Sequence, residues 1–171
     1  MERPGLKRLM LFSGSANPEL AEEVAKLLDV EIGGVELAQF ANSETYVRYE
    51  ESVRGADCFV IQSHCAPVNE HIMEQLIMID ALKRASAKRI TAVMPFYGYA
   101  RQDKKALPRE PITARLMADL LRTAGADRIV SVDLHTGQVQ GFSDRPFDHL
   151  TALPIFTDYL TSQLNGDVTV I

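Results

Sequence analysis

The sequence holds few cysteines, no excess of positive charge and no long apolar run, and each shortage excludes a class of protein. Cys58 and Cys65 are its only cysteines, so a disulfide framework is not expected. Cys58 lies in an apolar run, Cys58-Phe59-Val60-Ile61, where a free thiol acts as a small hydrophobe. A zinc site from Cys65, His64 and His71 would have a spacing that matches no common pattern. Lysine and arginine number 18 against 23 aspartates and glutamates, a formal charge of −5. That balance argues against a nucleic-acid binder but leaves small anionic ligands open. The most apolar stretch, Ile72 to Leu82, is interrupted by Glu74, Gln75 and Asp80, so no membrane span is expected. Met1 to Gly5 lacks the apolar core of a secretory signal, and the expected setting is the cytoplasm. Also missing are repeats, low-complexity runs and like-charge blocks. A Walker loop, a G-x-G-x-x-G fingerprint and a nucleophile elbow are missing too, which disfavours a dinucleotide-dependent oxidoreductase and serine-triad chemistry.

What is present is 171 residues, 46% of them hydrophobic, enough to bury an ordinary core. Strand and helix patterns alternate. Leu9 to Phe12 reads as a strand, and Asn17 as the N-cap of a helix opened by Pro18 and striped by Leu20, Val24, Leu27 and Leu28. Val35–Phe40 and Thr45–Glu50 alternate as a hairpin would, joined by Ala41-Asn42-Ser43-Glu44. Cys58–Ile61 and Ile90–Met94 are continuous apolar runs, the mark of parallel strands buried on both faces. Between them, about Asn69 to Ser86 reads as a helix apolar nearly all round, either central in a large core or covered by a second subunit, the latter favoured in a domain this small. Met78 is expected on its outward side. A helix from about Ile112 to Ala124 is stopped by Gly125, and a strand follows from Arg128 to Val132. Leu153–Leu164 reads as a helix and Val168–Ile171 as the start of a strand, so the chain is expected to be a domain cut short. The pattern predicts a three-layer α/β domain with a mostly parallel sheet and a small β-hairpin.

Ligands of such sheets sit beyond the carboxyl ends of the strands. Two segments are expected there. Pro95 to Pro111 combines Phe96, Tyr97 and Tyr99 with Arg101, Lys104 and Lys105. It suits the base and phosphates of a nucleotide, or it is a solvated basic loop. Asp133-Leu134-His135 follows a strand, and residues two apart on a strand share a face. The pair suits a divalent metal, a proton relay, or a histidine that merely hydrogen-bonds its neighbour. Asp144 and Asp148 are expected to add carboxylates to the same pocket.

Several stretches together carry a resemblance: Asn69-Glu70-His71-Ile72-Met73-Glu74, Tyr99-Ala100-Arg101-Gln102-Asp103-Lys104-Lys105, Arg109-Glu110-Pro111-Ile112-Thr113-Ala114, and Asp133-Leu134-His135 through Gln140-Gly141-Phe142. They resemble ribose-phosphate pyrophosphokinase, also called phosphoribosyl pyrophosphate synthetase, over nearly the whole chain. The resemblance implies a phosphoribosyltransferase-like fold. It implies an ATP-binding domain over residues 1–150, with residues 151–171 opening a truncated ribose-phosphate domain. Phe40, Asn42, Ser43 and Glu44 match the hairpin loop that receives adenine from a neighbouring subunit. Arg101, Gln102 and Asp103 match ATP-binding positions, and His135 a Mg²⁺-associated one, with Asp133 beside it. Ser52, Arg54 and Arg89 resemble a regulatory phosphate site. The hairpin reads F-A-N-S-E where many members read F-x-D-G-E, and Asn42 can replace aspartate as a hydrogen-bond partner of adenine.

The implied reaction moves the diphosphoryl group of Mg–ATP to ribose 5-phosphate, giving phosphoribosyl pyrophosphate and AMP for nucleotide biosynthesis. The sugar-phosphate loop and catalytic groups are expected beyond residue 171, so the chain alone is expected to be inactive. It is also expected to self-associate through this domain. A catalytically silent homologue that assembles with and regulates a full-length enzyme is the alternative.

Overall fold

Four apolar runs and one mixed run build a single sheet in a computed structural model that describes residues 8–164. The strands are β1 (Leu9–Ser13), β4 (Asp57–Ile61), β5 (Arg89–Met94), β6 (Arg128–Val132) and β7 (Phe147–Leu150), in the order β1-β4-β5-β6-β7. Every neighbouring pair is parallel. Because side chains alternate across a strand, Met10, Phe12, Cys58 and Val60 enter one core, while Leu11 and Ile61 enter a smaller one on the opposite face. Helix α1 (Pro18–Leu28) closes the smaller core with Ala21 and Ala25. Asn17 caps it as expected, its side chain accepting the Leu20 N–H at 3.2 Å. Helices α2 (Val68–Arg84) and α3 (Thr113–Ala124) pack on the main core. Helix, sheet and helices form the three expected layers.

The hairpin of β2 (Val35–Gln39) and β3 (Thr45–Tyr49) is a separate antiparallel ribbon. It lies over α2 and corrects the reading of that helix. Val35, Leu37, Val47 and Tyr49 pack against the main core, and the Tyr49 hydroxyl donates to the Met78 carbonyl at 3.0 Å. The hairpin therefore covers the Met78 side of α2 from within the chain, while Ile77 and Ala81 stay partly exposed. Met78, expected outside, is fully buried, whereas Met73 is exposed. The local pattern could not anticipate this, because the cover comes from residues some 30 positions earlier in the chain.

Strand β7 carries no clear strand pattern in the sequence. Its first neighbour on the sheet is β6, with Ile129 beside Phe147 and Val132 beside Leu150. Helix α4 (Leu153–Gln163) follows the predicted bounds closely but buries none of its residues. The strand expected at Val168–Ile171 lies outside the described residues. Among those described, no helix is long and apolar enough to cross a membrane.

Candidate functional site

Strands β5 and β6 are hydrogen-bonded neighbours, so their carboxyl ends deliver Pro95–Arg101 and Asp133–His135 side by side. The amino end of α2, which follows β4, reaches the same edge. Together they enclose a cleft of about 610 Å³ lined by Phe96, Tyr99, Arg101, Gln102, Asp133 and His135, with Asn69 and Glu70 from α2. The two segments singled out in the sequence thus share one site, as a parallel sheet requires.

Local bonds shape its walls. The Tyr97 hydroxyl donates to the Ala114 carbonyl at 3.0 Å, tying the loop to α3, and the Tyr99 hydroxyl donates to Asn69 at 2.6 Å. Thr113 donates its hydroxyl to the Gln102 side chain, and Ala114 its N–H to the Gln102 carbonyl at 3.1 Å. Arg101 is exposed in the cleft wall and makes no ion pair among the described residues. Tyr99 and Asp133 hold φ of 62° and 46°, conformations unfavourable for these residues that persist where the surroundings over-determine them.

Asp133 and His135 both line the cleft, but not through strand alternation. Strand β6 ends at Val132, and the left-handed turn at Asp133 breaks the period. One Asp133 oxygen accepts the Ala152 N–H at 3.2 Å. Asp103 is buried and does not line the cleft. Its carboxylate accepts Thr136 and Gln138, bonds that hold it below the ordinary carboxylate range, the Thr136 hydroxyl most strongly. Asp144 and Asp148 do not join the site. Asp148 lies on β7 and pairs with Arg128 at 2.5 Å, and Asp144 faces Arg122 at 3.8 Å. Among the described residues, no group of three or more His, Cys, Asp and Glu could hold a metal by itself.

Phe40, Asn42, Ser43 and Glu44 stand exposed at the hairpin tip and do not line this chain's own cleft. Phe40 and Tyr46 meet edge-on at 5.9 Å, Asn42 accepts the Glu44 N–H at 3.2 Å, and Ser43 takes φ of 70°. Ser52 and Arg54 precede β4 and Arg89 opens β5, on the amino side of the strands and away from the cleft. Arg89 pairs with Asp57 there and, with Lys88 and Asp127, lines a depression of about 210 Å³.

Asn69, Glu70, Thr136 and Gln138 lie in the stretches that carry the resemblance but were given no site role from the sequence. The signal for the first two was Pro67 after strand β4, since a helix following a parallel strand starts at the sheet's carboxyl edge.

The family model for the N-terminal domain of ribose phosphate pyrophosphokinase matches residues 9–125. The chain belongs to the ribose-phosphate pyrophosphokinase family. A relative of that name from Corynebacterium efficiens is 70% identical over 154 residues, covering 90% of this chain and 47% of its own length. One from Streptomyces avermitilis is 66% identical over 168 residues, covering 98% and 52%. The crystal structure of phosphoribosylpyrophosphate synthetase from Mycobacterium smegmatis superposes with a TM-score of 0.90 at 65% identity, covering 91% of this chain and 52% of that one. The chain spans about half the length of the curated pyrophosphokinase relatives it matches.

Proposed function

We propose that this chain forms the ATP-binding half of an enzyme that transfers the diphosphoryl group of Mg–ATP to ribose 5-phosphate, giving phosphoribosyl pyrophosphate and AMP. The observation that carries the reading is the cleft itself. Its volume suits a small ligand, and its wall sets aromatic surface from Phe96 and Tyr99 beside the cation of Arg101. An aromatic face and edge accept a base, and a guanidinium binds phosphate oxygens in a fixed fork. Gln102 adds an amide to the same wall. Asp103 supports the site from beneath. Diphosphoryl transfer asks chiefly for alignment and charge stabilisation, which such a wall supplies.

Asp133 and His135 fit Mg²⁺ as an ion carried by the nucleotide. Two protein donors are too few for a protein-held octahedral site, but Mg²⁺ is commonly bound through one or two side chains plus substrate phosphates and waters. Bound there, the ion would offset negative charge on the triphosphate.

The hairpin residues Phe40, Asn42, Ser43 and Glu44 serve the adenine of a second copy's cleft, which makes the working species a homo-oligomer. That they do not line their own chain's cleft supports this. Ser52, Arg54 and Arg89 form a regulatory phosphate site at the far edge of the sheet. Residues 151–171 begin the ribose-phosphate domain, a division supported by the unburied face of α4. The sugar phosphate and the catalytic groups belong to that second domain.

Calorimetric titration of the 171-residue chain with ATP tests the reading. Saturable binding that strengthens with Mg²⁺ is expected, with no phosphoribosyl pyrophosphate formed when ribose 5-phosphate is added. Absence of ATP binding at millimolar nucleotide would overturn it.

A further inference from the structure

Each of the two loops that frame the cleft donates one mid-loop backbone N–H to a histidine that stands outside the cleft. The Gly98 N–H donates to His64 Nδ1 at 3.1 Å, and the Leu134 N–H donates to His149 Nε2 at 3.0 Å. Neither histidine lines the cleft. In both bonds the imidazole nitrogen is the acceptor.

The two rings tie the loops to the sheet. His64 is fully buried, and its Nε2–H donates to Gln75 Oε1 at 2.9 Å. The Gln75 amide donates in turn to the carbonyls of Val60 at 3.2 Å and Val93 at 3.5 Å. Gly98 is thereby referenced to β4 and β5 through a buried chain of bonds. The approach is close: a β-carbon at Gly98 would sit 3.0 Å from the His64 Cβ and 3.1 Å from Ile72 Cδ1. Burial pushes His64 down to about 4, so the ring remains an acceptor at neutral pH. His149 stands on β7, and its neighbour Leu150 accepts the Asp133 N–H at 2.9 Å. Each bonded amide adjoins a left-handed residue, Tyr99 or Asp133, whose conformation needs outside support.

We infer that His64 and His149 are positioning residues of the nucleotide site, their ring acceptors fixing the loops that present Arg101 on one wall and Asp133 and His135 on the other. This rests on the ATP-binding reading of the cleft. A bond to a fixed acceptor limits loop freedom before the ligand arrives, and misplacement of contact groups by an ångström weakens binding steeply.

The test compares acceptor-keeping with acceptor-removing variants of the 171-residue chain: His149→Gln against His149→Leu, and His64→Asn against His64→Leu. The glutamine oxygen can stand where Nε2 stood, and the asparagine oxygen where Nδ1 stood. Calorimetry gives Kd for Mg–ATP, and thermal unfolding reports folding separately. The leucine variants are expected to bind about tenfold more weakly, the size of one lost hydrogen bond. The amide variants should stay within about threefold of wild type by the same measure. Wild-type Kd in a folded His149→Leu chain overturns the inference, as does a lowered unfolding midpoint with Kd unmoved. Amide variants as weak as the leucine ones overturn it too. His64→Leu leaves Gln75 without its partner; if that chain does not fold, the His149 pair decides. Failure of the wild-type chain to bind Mg–ATP removes the site and the inference with it, whereas wild-type binding with insensitive variants overturns the inference alone.

Discussion

The carboxylate of Asp103 accepts the Thr136 hydroxyl at 2.5 Å. The same oxygen accepts the Gln138 amide at 2.7 Å. These bonds join the segment after β5 to the segment after β6 beneath the cleft, so the wall bearing Arg101 cannot move freely against the wall bearing His135. A short charge-assisted bond in a buried setting is a rigid link.

Replacing Asp103 by leucine should therefore weaken Mg–ATP binding, although Asp103 does not line the cleft. Asp103→Asn keeps an oxygen acceptor and should weaken it less. The carboxyl is held below its ordinary range, chiefly by Thr136 and then by Gln138. Its contribution to stability is thus present above the ordinary carboxylate range and is lost as pH falls through the lowered folded value. Thermal unfolding of Asp103→Asn across the acid range should show a flatter acid limb than wild type. An unchanged limb and unchanged Kd would remove Asp103 from any supporting role.

Arg101→Ala should cost about 2 to 3 kcal/mol of Mg–ATP binding, the scale of a charge-assisted contact to phosphate. Arg101→Lys should recover only part of this, because an ammonium lacks the two-pronged fit. Titration of the three chains with ATP and with AMP separates phosphate contact from base contact. The loss should be large for ATP and small for AMP.

His64 gives the acid behaviour of the fold a second component. Burial lowers the ring from 6.5 to about 4, the charge of His71 adds to this, and the bond to Gln75 opposes it. The unfolded chain then binds a proton that the folded chain refuses. Stability from this group is full above about 6.5 and declines as pH falls toward about 4, by about 3 kcal/mol in all. Chemical unfolding of wild type and His64→Asn between those limits should diverge at the neutral end and converge at the acid end. Parallel curves would show that His64 carries no such linkage.

The parallel strands were legible because burial on both faces forces a continuous apolar run, as in Cys58-Phe59-Val60-Ile61 and Ile90–Met94. Strand β7 was not. Phe147-Asp148-His149-Leu150 mixes polar and apolar residues, since Asp148 pairs with Arg128 and His149 serves a loop bond. Reading Asp148 as a cleft carboxylate followed from missing that strand. Arg101, Gln102, Asp133 and His135 reached the expected edge because a strand's carboxyl end is fixed by chain direction. The partners that hold them did not show in the sequence. His64, Gln75, Thr136 and His149 meet across separations of 11 to 34 residues, which no local pattern encodes. Met78 on α2 misled for the same reason, its side of the helix being covered by a hairpin that precedes it.

Self-association is tested at the hairpin tip, where Phe40, Asn42, Ser43 and Glu44 stand exposed. Met78 is fully buried, and Met78→Ala should cost about 2 to 5 kcal/mol of stability, so substitutions there report folding and say nothing about assembly. Phe40, in contrast, is 56% exposed, and Phe40→Ala should leave the fold intact. If Phe40 serves the cleft of a second copy, each site combines Arg101 of one chain with Phe40 of another. Phe40→Ala alone and Arg101→Ala alone then spoil both sites of a two-fold dimer. In a mixture refolded at equal amounts, half of the dimers are hybrids, and each hybrid holds one site with both residues intact. About a quarter of the wild-type binding capacity should return at wild-type affinity, given a symmetric dimer with random pairing. Calorimetry of the mixture against the two separate variants reads this directly. If Phe40 instead serves its own chain's cleft, or no ligand at all, mixing restores no sites beyond those the separate variants already show.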